Sequence, residues 1–375
     1  MGHIMGEIDI NKMSIDEIKS KLVVYNTYFQ LAISLVPGCF TAPLKEDMIE
    51  FSTSLESASE IEIRERAPNL FESFEKLLQL FQGKIQPKES IEKIAFDYWI
   101  LCRDKSFSAT TGLPYHWIAP RLYCSALGFP EDLPYHANIG VFFHAGYVAV
   151  EEEFLLRDAF FILIKARKAL EKLENAGNII KKKSKPEHYT DQITSLNQNV
   201  STYSRLAVYS FYSFVECFVN SVAQDFLARN QGLTEDQKII LHGQKKKKNK
   251  IVYFKLEHKI EKIPGIIRGD GKCHLLLSDP AQIKEPFSSF LGLVKDIRDA
   301  TSHYNQGKAE IWRKPHEWVE IANEACKICL EVAKTFWMTC YPDKVLPIYL
   351  GGLNEKKHIE IAEQRLELEY KAYII

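Results

Sequence analysis

The sequence predicts a mainly α-helical fold. Apolar residues recur at three and four along several long segments, and helix-starting and helix-stopping residues bracket them. Strand-like patterning is confined to two short places, and no internal repeat is evident. A chain of 375 residues, 46% hydrophobic and 26% charged, has room for two cored domains or one large one with additions.

Ser14 reads as an N-cap, and Glu17 completes a capping box before IDEIKSKLVVYNTYFQLAISLV, which Pro37 and Gly38 stop. Amphipathic helices follow at APNLFESFEKLLQLF and ESIEKIAFDYWILC. From Thr111 to Gly146 prolines, glycines and aromatics loosen the pattern into irregular chain with some strand. A strong helix then runs roughly from Val150 to Asn175, with acids at its start and bases later, as the helix dipole favours. AGNIIKKKSKPEH combines a glycine, a charge run and a proline, and is the best boundary in the chain.

Residues 204–227, SRLAVYSFYSFVECFVNSVAQDFL, are apolar on nearly every face and predict a helix buried on most sides. Glu216 sits in its middle, where a carboxylate needs a partner or a proton. A lysine run, VYFKLEHKIEKI and the glycine-rich turn RGDGK come next. FSSFLGLVKDIRDATSHY starts just after Pro286 and stops near Asn305 and Gly307, and a final long helix, HEWVEIANEACKICLEVAKTFWMTC, begins after Pro315. The tail from His358 to Ile375 alternates apolar and polar residues, so it allows a short hairpin or a helix. The organisation expected is a mostly helical region of unknown role over 1–180, a helical bundle over 190–341 and an extension over 342–375.

No stretch approaches ~18 uninterrupted apolar residues without charge, which predicts no membrane span. The start, MGHIMGEIDI, lacks the basic region and apolar core of a secretory leader. Eight scattered cysteines, several in apolar helical runs, suit a reducing cytoplasm better than a disulfide framework. The formal net charge of −1 hides an asymmetry. Residues 1–180 hold 18 Lys and Arg against 25 Asp and Glu, leaving 30 against 24 beyond them. The positives concentrate in KKKSK (Lys181 to Lys185) and QKKKKNK (Gln244 to Lys250). Lys245, Lys246, Lys247, Lys248 and Lys250 are therefore candidates to meet a polyanion, against the plain reading of a solvated loop.

The most informative stretch is DIRDATSHYNQG, Asp296 to Gly307. At about 100° per residue, Phe290, Leu291, Val294, Ile297, Thr301 and Tyr304 form one core-facing stripe. Arg298 lies at its edge, and Asp299, Ser302 and His303 continue onto the polar side. Arg298 and His303 diverge by about 140°, so they meet at one ligand only if the arginine curls back or a second copy of the helix faces the first.

R-D-x-x-x-H closing an apolar helix resembles the R-x4-6-H signature of the HEPN superfamily (higher eukaryotes and prokaryotes nucleotide-binding). Asp299 matches the polar residue common after that arginine. The surroundings agree: an apolar helix broken by one acid (SFVECFVN), a lysine-bearing helix (FKLEHKIEKI), the motif helix, then a long closing helix. The resemblance covers roughly residues 200–341, and implies a C-terminal HEPN-like helical bundle. It implies metal-independent RNA cleavage without a cofactor, by a homodimer with its site at the two-fold axis. In that chemistry His303, with an imidazole's ordinary pKa near ~6.5, takes the proton from a ribose 2′-OH. Arg298 clamps the phosphate bidentately, and Asp299 orients one of the two. Glu216 and Ser302 are supporting candidates, with Glu216 expected to pair with Arg298. The activity implied is that of a toxin or defence effector. The alternative is a non-catalytic dimerisation or nucleotide-binding module working with an antitoxin or another regulatory partner.

Other motifs carry less. Arg268 and His274 satisfy the same loose spacing, but from a glycine-rich turn without a helix to present them. Cys326 and Cys329, even with Cys273 and His274, have the wrong spacing for a zinc ribbon or finger and read as core. His116, His136 and His144 lie among aromatics in the irregular region, without the acid or cysteine partners that a metal or catalytic site needs. No phosphate-cradling glycine loop and no serine-hydrolase elbow is present.

Overall fold

The computed structural model describes residues 9–35, 58–81, 85–105, 112–123, 133–142, 145–180, 190–247, 250–302 and 313–372. His303, Tyr304, Asn305, Gly307, His144, Lys248, Pro37, Gly38 and the run Lys181 to Lys185 lie outside the described residues. The fold is mainly helical with few short strands, and it divides into two compact units, Met1–Ala149 and Val150–Ile375.

Among the described residues the first unit holds three long helices, α1 (Ile15–Leu35), α2 (Glu60–Phe81) and α3 (Ile91–Lys105). Ser14 and Glu17 form the expected box: the Glu17 amide donates to the Ser14 hydroxyl, and the Ser14 amide donates to the Glu17 carboxylate at 2.7 Å. Ser59 and Glu62 repeat it, so α2 begins well before the periodic segment and carries Pro68 inside it. The core joins Leu22 and Phe29 of α1 to Phe71 and Phe74 of α2 and Ile94 and Tyr98 of α3. The loosely patterned stretch supplies short strands. With β1 (Gln86–Pro87), β2 (Leu113–Pro114), the helical turn α4 (Tyr115–Ile118), β3 (Leu122–Tyr123), β4 (Asn138–Phe142) and β5 (Ala145–Ala149), it forms a β1–β3 pair and an antiparallel β2–β4–β5 sheet.

The second unit is built around a 40-residue helix. It comprises α5 (Glu151–Ile180), α6 (Thr190–Arg229), α7 (Glu235–His242), β6 (Gln244–Lys247), β7 (Lys250–Tyr253) and α8 (Leu256–Ile267). Next come α9 (Phe287–Ser289), a π-helical stretch (Phe290–Lys295), α10 (Asp296–Ser302), α11 (Pro315–Cys340) and α12 (Glu355–Ala372). α6 packs against α5, α7, α8, α10 and α11. Val208, Phe211, Phe214, Val215, Phe218 and Val219 are buried along it, as its nearly continuous apolar sequence requires. Among the described residues, α6 alone is long and apolar enough to cross a membrane, by length and composition only.

Two expected boundaries move. The strong helix extends to Ile180 and belongs with the second unit, because its Phe160 meets Phe211 of α6 edge-on at 5.3 Å and its Arg167 donates to Asn323 of α11. The division therefore falls at Ala149 rather than near 180. The tail is not a separate hairpin. It forms α12, which returns to α5 through Arg365–Asp158 at 2.7 Å and Lys165–Glu369 at 3.0 Å. Its buried residues are His358, Ala362 and Leu366, four apart, so one helical face is covered despite the alternating sequence.

Candidate functional site

The motif helix starts after Pro286 and runs through α9, the π stretch and α10. Its buried residues are Phe287, Phe290, Val294, Ile297 and Ala300. The buried stripe differs from the expected one at its end. Ala300 takes the buried place expected of Thr301, while Thr301 and Leu291 are half-buried. Ser302 is exposed at the end of α10, and Tyr304 lies outside the described residues.

Arg298 leaves this helix toward α6. Its guanidinium carbon lies 4.7 Å from the centre of the Tyr212 ring and 5.9 Å from that of Tyr209. Its Nη1 donates to the Asp299 carboxylate at 2.8 Å, and its Nε is buried without a hydrogen-bond partner among the described residues. Burial works against the charge, but the Asp299 hydrogen bond and the Tyr212 neighbour outweigh it and hold the guanidinium's pKa above its usual value. Tyr212 also stacks on Phe290 at 5.5 Å, with the rings nearly parallel, so one ring meets both the start of the π stretch and the arginine of α10. Burial, followed by the nearby Glu216 carboxylate, pushes the Tyr212 hydroxyl well above a tyrosine's ordinary pKa. The ring is a neutral platform.

The expected pairing of Glu216 with Arg298 is not the one formed; the arginine takes its sequence neighbour, Asp299. Glu216 is half-buried and acts at longer range, favouring the charged forms of Arg298 and of Lys259 on α8. Lys259 donates to Asn220 at 2.9 Å, and burial lowers its pKa. Lys295 of the π stretch donates to Glu257 of α8. Arg298 and Asp299 are thus brought together, with Glu216 nearby but unbonded to them. His303 lies outside the described residues.

The lysine run forms a hairpin rather than a loop. Gly243, at φ 68°, closes α7 in the left-handed conformation glycine favours, and β6 pairs with β7 directly after it. The register sets Lys245 opposite Val252, Lys246 opposite Ile251 and Lys247 opposite Lys250. Lys245 and Lys250 are exposed, as are Ile251 and Tyr253. Lys245 also lies 5.7 Å from the Phe254 ring.

Arg268 and His274, set aside from the sequence, meet through a carboxylate: Asp270 is 2.9 Å from His274 Nε2 and 3.6 Å from Arg268 Nε. These bonds lock the glycine-rich turn, whose Lys272 amide also donates to Asp270. Cys326 and Cys329 are buried in α11, and burial raises both thiol pKa values. No cluster of three or more potential metal ligands occurs among the described residues. His116 Nδ1 lies 3.2 Å from the Tyr135 carbonyl oxygen.

Sequence reasoning missed Tyr209 and Tyr212. The signal was present, since Arg205, Tyr209, Tyr212 and Glu216 fall at helical spacing on one side of α6. No protein family, curated protein or solved structure matches this chain.

Proposed function

We propose that the second unit is a metal-independent endoribonuclease of the HEPN kind, acting as a homodimer and serving as a toxin or defence effector. His303 removes the proton from a ribose 2′-OH, and the oxygen attacks the adjacent phosphorus as the bond to the 5′-oxygen breaks. The leaving 5′-oxygen takes a proton from water, and the products are a 2′,3′-cyclic phosphate and a 5′-OH. Arg298 neutralises the charge that builds on the phosphate oxygens. Asp299 fixes the arginine, and the hairpin lysines Lys245 to Lys248 and Lys250 hold RNA beyond the reacting phosphate. The first unit senses a trigger, selects the RNA or restrains the nuclease.

The observation that carries this reading is the arginine itself. It is charged, oriented on two tyrosine rings, and has an Nε–H free of partners among the described residues. A second reading, a non-catalytic dimerisation or nucleotide-binding module working with a regulatory partner, is favoured by the Arg298–Asp299 bond, which occupies one edge of the guanidinium. Incubating the protein with total RNA in EDTA separates the two. Cleavage that survives chelation and disappears in both Arg298→Ala and His303→Ala supports the nuclease; folded wild type that leaves RNA intact supports the module.

A further inference from the structure

The first half of α6 and the start of α11 enclose a cleft of about 500 Å³, within the range of small-ligand sites. Its cations are Arg205 and Arg313, and no carboxylate occurs among its described lining residues. Ser201 and Thr202 bring hydroxyls, Asn197 and Gln198 bring amides, and Trp318, fully buried, forms the floor. Arg205 Nε donates to the Ser201 carbonyl oxygen at 3.3 Å, and the Arg313 guanidinium carbon lies 5.9 Å from the centre of the Trp318 ring. Arginine forks, hydroxyls and amides together match phosphate oxygens. The Lys314 amide already donates to Glu317, so the start of α11 is not what recommends the cleft.

Position adds to chemistry. Ser201, Arg205, Tyr209 and Tyr212 follow one face of α6, so the cleft and the Arg298 platform lie on a common track. Arg205 and Tyr212 are about 10 Å apart along the axis. Between them Tyr209 is 40% exposed, enough of a ring for a base to stack on.

We infer that the Arg205–Arg313 cleft binds the phosphate of a nucleotide unit, with Tyr209 stacking a base between it and Arg298. Whether the phosphate belongs to an RNA strand or to a free nucleotide rests on the nuclease reading; anion binding in the cleft does not.

The test is calorimetry on the full chain carrying His303→Ala, which keeps RNA intact, titrated with uridine 5′-monophosphate and with a short single-stranded RNA. Arg205→Gln with Arg313→Gln should weaken binding about tenfold or more. Thr202→Tyr, an exposed helix position that fills the cleft while keeping both cations, should do the same. Binding of both ligands assigns the cleft to a free nucleotide as well as a strand, and binding of the RNA alone assigns it to a strand. Unchanged affinity in the arginine variants overturns the proposal. So does wild-type binding by Thr202→Tyr, or no binding of either ligand. Cleavage plays no part in this readout, so a failed nuclease reading and a failed cleft are told apart.

Discussion

The Arg298 guanidinium rests 4.7 Å from the centre of the Tyr212 ring, and the same ring stacks on Phe290, eight residues earlier on the motif helix. One side chain of α6 therefore sets both the packing of the π stretch and the direction of the arginine that follows it. A cation held over a ring gains roughly 0.5–2 kcal/mol, the larger part when water is excluded.

Tyr212→Leu removes the ring and should lower kcat/KM for RNA about three- to thirtyfold, chiefly through kcat, because the arginine loses its aim rather than its charge. Tyr212→Phe keeps the ring and should stay within about twofold of wild type. A loss of equal size in both variants would point to the hydroxyl instead and remove the platform from the account.

Asp299 and Glu216 separate in the same assay. Asp299 accepts a hydrogen bond from Arg298, whereas Glu216 only adds its field. Asp299→Asn should slow cleavage more than Glu216→Gln does. Glu216→Gln should instead lower stability by about 1 kcal/mol, by depriving buried Lys259 of its counter-charge. Urea melts of the two variants check the second part. A Glu216→Gln protein of wild-type stability and impaired cleavage would restore the direct role that the sequence suggested.

His358 makes stability depend on pH. It is buried, stacks on Phe160 at 5.2 Å, and lies 3.1 Å from the Leu350 carbonyl oxygen through Nε2, leaving Nδ1 buried without a partner among the described residues. Burial lowers its pKa below 6.5 in the folded chain. The unfolded chain therefore takes up the proton first. This contribution to stability is complete above about pH 6.5 and is lost as pH falls through the folded value. Glu153, whose pKa burial raises, tilts stability the other way above the ordinary carboxylate value. His358→Phe should flatten the decline seen on acidification; an unchanged slope would assign that decline to other groups.

Two glycines should respond with opposite signs. A Cβ on Gly265 would sit 2.3 Å from the Lys272 carbonyl oxygen, a backbone atom, so Gly265→Ala should cost about 1–3 kcal/mol. A Cβ on Gly292, in the π stretch, meets nothing within 4 Å, so Gly292→Ala should gain up to about 1 kcal/mol. Denaturant midpoints check both. A destabilised Gly292→Ala would show that the wide turn depends on glycine.

Much of the helical order was legible in the sequence because capping and periodicity agree, as at Ser14 with Glu17 and at Pro315 opening α11. The π stretch was not. Phe290, Val294 and Ile297 fit an unbroken α-helix equally well, so the spacing of apolar residues gives no sign of the wider turn. The hairpin was hidden because KKKKNK lacks the alternation that marks a half-buried strand, and β7 is exposed at every position. In the tail, HIEIA alternates, yet burial at four-residue spacing decides for α12. Within the site, Arg298 and Asp299 could be named from their motif, but their platform required knowing which face of α6 the motif helix covers.

The chemistry at Arg298 and His303 is tested most directly by the ends of the RNA fragments produced in EDTA. The account expects 2′,3′-cyclic phosphate and 5′-OH termini from wild type, and neither from Arg298→Ala nor from His303→Ala. Fragments ending in 3′-OH and 5′-phosphate, or cutting that continues in the His303→Ala protein, would contradict it.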